Sequence, residues 1–369
     1  MKKVLSILLA VLLLAVMLPL TALAEDQNSQ NFDVGESRSG EGWVWNKETK
    51  TLTLTDATMR DFYLPAGSTI VLNGTNNVGA EGQGIKSYHY DYHSGDEPVY
   101  VNDTVIITGT GSLTVSGVSC ADFFVESGTV DFICLNDAID GCIEVRGGNV
   151  RISAGFNNEV NPATAISGNA VVSGGSLTVH SNGEGIIGTF TVSGGSASVT
   201  AKEACVVEGL NVSGGDVELL RQRPAVIVYS LEDFERISTT YGGATMSVTG
   251  GTVFLSAPSA AAWLREAPAI GSGMVATGST TYAAERDSLT AGVRWEYVAR
   301  AEGFCPVMSD DFVRTLLITA GTGGNITVRV PEEQQPNPTT GAADSVGVTA
   351  ALAAAVVLTL TASALLRKK

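Results

Sequence analysis

The sequence predicts an all-β protein, a right-handed parallel β-helix, on three observations. Glycine is abundant and proline scarce, 42 and 11 of 369 residues, with no strict three-residue repeat, so turns are dense and a collagen-like chain is excluded. A unit recurs as Val145-Arg146-Gly147-Gly148-Asn149-Val150-Arg151-Ile152, Val172 to Val179, Val192 to Val199, Val212 to Leu219 and Val248 to Phe254, with second glycines at 148, 175, 195, 215 and 251. That is a basic step of about 20 residues with insertions, the mark of a solenoid. Within each step apolar residues alternate with polar ones, as in Leu177-x-Val179 and Phe190-x-Val192, which turns one face of a strand inward.

Composition excludes several function classes. Charged residues make up 16%, against about 25% in an average soluble domain, and 38 acids outnumber 22 bases for a net charge of −16. Such a surface repels phosphate backbones and anionic lipid, so nucleic acid and charge-driven membrane binding are not expected.

Along the chain, Met1-Lys2-Lys3 precedes an uncharged run that closes on Ala22-Leu23-Ala24. Residues 1–24 read as a secretory signal with cleavage between Ala24 and Glu25, and residues 25–42 as a linker. Residues 43–258 hold the repeats. Their aromatic start, Trp43-Val44-Trp45 through Phe62-Tyr63-Leu64, is expected to cap the first coil. The register extends beyond the glycines: Ile166, Ala170 and Val172 recur as Ile186, Phe190 and Val192, then as Val206, Leu210 and Val212, so equivalent side chains should stack. Three short strands and three turns fill such a step, with positive-φ glycines at the corners. From Trp43 to about Val330 there is room for about twelve coils, about 55 Å at ~4.8 Å per rung. Residues 259–330 lose the glycine register and read either as the last coils or as a small β cap.

Residues 331–341 form a linker ending in Asn337-Pro338-Thr339-Thr340-Gly341, residues 345–366 are uncharged and long enough to span a bilayer as a helix, and 367–369 are basic. This order resembles a Gram-positive cell-wall sorting signal, with Asn337 where the family usually has Leu. The resemblance implies that a sortase cuts between Thr340 and Gly341 and joins Thr340 to peptidoglycan, leaving membrane contact only through the helix before sorting. The run Gly42 to Leu54, with Thr69-Ile70-Val71-Leu72-Asn73-Gly74, resembles the opening of β-helical surface proteins of Gram-positive gut bacteria, described as carbohydrate-binding or adhesin-like. It implies an exported, surface-displayed protein that takes glycan or host ligands.

Candidate chemistry centres on Tyr88-His89-Tyr90-Asp91-Tyr92-His93, with Asp96 and Glu97 beyond. As a strand, Tyr88, Tyr90 and Tyr92 would share one face, able to stack on sugar rings, and His89, Asp91 and His93 the other. His89 and His93 would stand about 13 Å apart, too far to share an ion, so no metal or cofactor is assigned. Asp137, Asp140, Glu184, Glu203 and Glu208 sit near turns, with Arg146, Arg151, Arg221 and Arg223 nearby, but no spacing marks a catalytic pair. No catalytic residue is assigned. The alternatives to a binding module are a polysaccharide lyase or glycosidase on the same fold, or a passive surface spacer. The cysteines at 120, 134, 142, 205 and 305 are odd in number, so no disulfide is assigned, and an insertion from Glu218 to Thr245 interrupts the step.

Overall fold

The computed structural model describes residues 29–79, 83–92, 99–155, 161–221, 244–298, 303–321 and 327–329. The chain divides into compact units of residues 1–329 and 330–369. The second unit, with the sorting motif and hydrophobic segment, lies outside the described residues, as do the Ala24 and Glu25 junction, His93 and residues 222–243. Among the described residues no helix is long and apolar enough to cross a membrane.

The described part is all-β, with a short 3-10 turn at Arg286–Ser288. Its main strands fall into sheets of 12, 11 and 5 strands, and the chain visits them in turn. Thus Thr104–Gly109 belongs to the 12-stranded sheet, Ser112–Ser116 to the 11-stranded sheet and Val118–Cys120 to the 5-stranded sheet, before Asp122–Val125 returns to the first. Each strand pairs in parallel with its equivalent one circuit earlier and one later. Beyond Ile139–Asp140 the third wall thins to single bridges, Ile139 to Ile166 to Ile186 to Val206.

The register is the one expected from the repeat. Ala170 pairs with Phe190 and Phe190 with Leu210, while Val172, Val192 and Val212 stack behind them. These side chains are buried. Alternation decides which face is buried: in Ser176–Ser181, Leu177, Val179 and Ser181 point inward and His180 outward. The corner glycines at 148, 175, 195, 215 and 251 have φ between +66° and +76°, a region L side chains rarely adopt.

Nine of the 11 strands in the second sheet are parallel, fewer than the twelve coils expected, because the chain leaves its circuit beyond Ala269–Ile270. There Thr315–Ala320 pairs antiparallel with both Thr252–Ser256 and Met274–Ser279. A separate 4-stranded sheet built from Arg294–Val298, Gly303–Met308, Asp311–Phe312 and Thr327–Arg329 completes this end. At the other end, Arg38–Gly40 and Trp43–Asn46 run antiparallel onto Thr51–Thr55, and Phe32 packs against Trp43, Trp45 and Phe62. Antiparallel strands cover part of each end of the stack, while Thr58–Met59 and Ala269–Ile270 remain parallel edge strands. None of the five cysteines is in a disulfide.

The insertion is narrower than the sequence suggests. Glu218 lies within the Asp216–Arg221 strand, and Thr245 opens the next one, paired with Gly209.

Candidate functional site

A two-stranded antiparallel ribbon leaves the stack between Gln83–Lys86 of the 5-stranded sheet and Thr104–Gly109 of the 12-stranded sheet. Its strands are Tyr88–Asp91 and Val99–Asn102, with Tyr90 directly opposite Tyr100. The base is closed by the Ser87 N–H, which donates to the Cys120 carbonyl at 2.8 Å, and the Asp103 N–H, which donates to the Ser87 carbonyl at 2.8 Å.

Cross-strand pairing gathers the rings on one face. Tyr88 and Tyr100 have centroids 4.7 Å apart, Tyr88 and Tyr90 5.9 Å, and Tyr90 and Tyr100 6.1 Å. Tyr63, from the 5-stranded sheet, meets Tyr88 edge-on at 5.4 Å, and its hydroxyl donates to the Tyr88 carbonyl. These edge and tilted geometries are the favoured ones for aromatic pairs and hold the rings as a unit. The cluster remains open to solvent: Tyr90 is 50% exposed, Tyr100 36% and Tyr92, just past the strand, 74%. Burial raises the Tyr100 hydroxyl above its ordinary range, and the Cys120 thiol and the Asp140 charge add to it. Burial raises Tyr63 as well, against the lowering bond to Tyr88.

On the other side of the ribbon His89 Nδ1 lies 2.9 Å from Asp103 Oδ1. Asn102 Nδ2 donates to the Asp140 carbonyl at 2.7 Å, which ties the second strand to the wall. Of the residues singled out from sequence, Tyr88 and Tyr90 come together and Tyr92 stands near them without a ring contact to them among the described residues. Asp91 pairs with Val99 across the ribbon. His93, Asp96 and Glu97 lie outside the described residues, and among those described no group of three or more metal-ligating side chains converges. Sequence reasoning missed Tyr63, Tyr100 and Asp103. The available signal was the second alternating run, Val99-Tyr100-Val101-Asn102, mirrored across Ser94-Gly95-Asp96 as a hairpin would be.

Four of the five turn carboxylates have structural partners. Asp137 Oδ1 accepts the Thr164 N–H at 2.7 Å, Asp140 Oδ1 accepts the Ser167 hydroxyl at 3.1 Å, and Glu184 Oε2 accepts the Thr164 hydroxyl at 3.4 Å. Glu203 lies 3.9 Å from Arg221. A hollow lined by Leu210, Leu219, Met246, Leu255, Leu264 and Cys205 is apolar and brings no carboxylates together.

The stacked parallel strands carry an exposed, pre-packed aromatic ribbon. A family model described as "Carbohydrate-binding domain-containing protein" matches residues 66–283, more than half of the chain, and enclosing both the ribbon and the glycine repeats. The chain belongs to that family. No curated protein and no solved structure matches it.

Proposed function

We propose that this chain is an exported, cell-wall-anchored, adhesin-like surface protein that binds glycan through the tyrosine ribbon of a right-handed parallel β-helix. The observation that carries the proposal is the solvent-open cluster of Tyr88, Tyr90 and Tyr100 within the residues matched by the carbohydrate-binding family. A sugar ring presents C–H groups that pack on aromatic faces, and rings already held by one another lose little side-chain entropy on binding. The three-wall circuit and its step of about 20 residues support the β-helix. The segment order at the chain's end, Asn337-Pro338-Thr339-Thr340-Gly341 before an uncharged run and basic tip, supports anchoring by a sortase through Thr340 to peptidoglycan, after cleavage at Ala24 and Glu25.

The test is to incubate the purified chain with soluble and insoluble polysaccharides and mucin, and to measure both retention and small products. Retention without products is expected, with Tyr90→Ala reducing it and leaving the unfolding midpoint unchanged. Product release would point instead to a glycan-processing enzyme. For anchoring, mass spectrometry of digested cell wall should recover a peptide ending in Thr340 joined to a peptidoglycan fragment; finding only chains that continue through Lys369 would refute it.

A further inference from the structure

Beside the base of the ribbon lies an uncharged strip of the 12-stranded sheet. Asp103 alone separates Val99–Asn102 of the ribbon from Thr104–Gly109, which belongs to that sheet. Over four successive strands, Trp43–Asn46, Thr51–Thr55, Ser68–Asn73 and Thr104–Gly109, no residue carries a charge, in a chain with 38 acids. Pairing lines up their outward side chains in columns. One column holds Val44, Thr53, Val71 and Thr108, and the next holds Asn46, Thr51, Thr69 and Ile106. Val44 is 54% exposed, and the Thr53 and Thr69 hydroxyls have no hydrogen-bond partner among the described residues. The strip ends at Phe124, the neighbour of Ile106, where the Arg146 guanidinium lies 4.9 Å from the ring centroid and donates to Glu144 at 2.6 Å. The 11-stranded sheet is charged across its middle: Asp131 pairs with Arg151 in an outward column that runs on through Thr178 and Ser198 to Glu218.

Resting on the glycan-binding reading, we infer that the binding surface continues from the ribbon onto this strip, and that its ligand is a neutral, linear, β-linked polysaccharide laid along the stack. Threonine offers a methyl and a hydroxyl on one stiff, branched side chain, so little rotamer freedom is lost on contact. A hexopyranose offers the matching pair, C–H groups on its ring faces and hydroxyls at its rim. Successive rungs stand ~4.8 Å apart, close to the length of one sugar in an extended β-1,4-linked chain, so consecutive sugars meet equivalent side chains. A uronate or sulfate finds no cation on the strip to offset its lost water, and the net charge of −16 repels it. The ribbon holds one end of the ligand, and the strip adds affinity for the sugars beyond it.

The full chain would be titrated by calorimetry with the disaccharide and hexasaccharide of β-1,4-linked glucose and with the hexasaccharide of galacturonate. The glucose hexasaccharide is expected to bind about tenfold more tightly than the disaccharide, with no loss between about 50 and 500 mM salt. Thr53→Val and Thr69→Val together, which keep the branched shape and remove the hydroxyls, should weaken the hexasaccharide about fivefold and leave the disaccharide unchanged. Tyr90→Ala should weaken both lengths. Thr178→Val, outward on the 11-stranded sheet, should change neither. Unfolding midpoints equal to that of the parent chain confirm that each variant is folded. Equal affinity for the two glucose lengths overturns this inference and leaves glycan binding standing. So does galacturonate bound as tightly as glucose, or a Thr178→Val effect as large as that of the paired change. Failure of all three oligosaccharides to bind overturns both readings together.

Discussion

At Gly195 a methyl group would sit 2.5 Å from the Gly175 carbonyl oxygen of the rung below, at a φ of +70°. Two costs therefore coincide there, left-handed backbone and a contact with an unyielding main chain. Gly273 has a φ of +84° but nothing within 4 Å of its would-be Cβ, so only the first cost applies. Gly195→Ala is expected to lower the free energy of unfolding by ~2 kcal/mol or more and Gly273→Ala by ~1 kcal/mol, read from denaturant midpoints. Equal losses would show that stacking distance between corners is not what demands glycine. Gly195 was legible because a corner repeated every circuit leaves a repeated glycine, whereas Gly273 lies where that register is lost. The tyrosine pairs were not, since Tyr63, Tyr88 and Tyr100 are neighbours only after the chain has completed a circuit and doubled back.

The ribbon is an element added to the stack. Below it the wall is already closed, because Ser87 and Asp103 bond to each other and Ser87 to Cys120. Replacing residues 88–102 by Asn-Gly, which favours a tight turn, should leave the parallel sheets folded. The loss should be about 1–3 kcal/mol, from the Tyr63 ring contact and its hydroxyl bond, the Asn102 bond to the Asp140 carbonyl and the His89 contact with Asp103. Retention on polysaccharide should disappear at the same time. A shortened chain that still binds would move the site to the faces of the stack. Sequence reading found one strand of this ribbon and its alternation but left it without a partner. Period-two alternation says which residues share a face and nothing about which strand lies opposite. The same limit explains residues 259–330, where neither reading fits alone: Ala269–Ile270 prolongs a parallel sheet and Met274–Ser279 begins antiparallel pairing.

For the molecule as a whole, the stack makes one continuous apolar interior out of many short strands, and the Cys134 and Cys205 thiols touch that interior. Burial pushes the Cys205 thiol up to about 12, and raises Cys120, Cys134 and Cys142 in the same direction. An unfolded thiol loses its proton near pH 9, so between about 9 and 12 the folded chain holds a proton at Cys205 that the unfolded chain has released. Stability must then fall as pH rises: the contribution is complete below about pH 9 and is lost as pH climbs through 12. Tyr63 and Tyr100, raised likewise, steepen the decline further into alkali. Thermal midpoints are expected to fall progressively from pH 9 to 11. Cys205→Ala should show a shallower decline, because Ala165, which is fully buried, already occupies the equivalent slot two circuits earlier. If Cys205→Ala and the parent chain lose stability in parallel, the Cys205 thiol is not held in the interior. A midpoint that rises with pH would contradict the sign for the whole set.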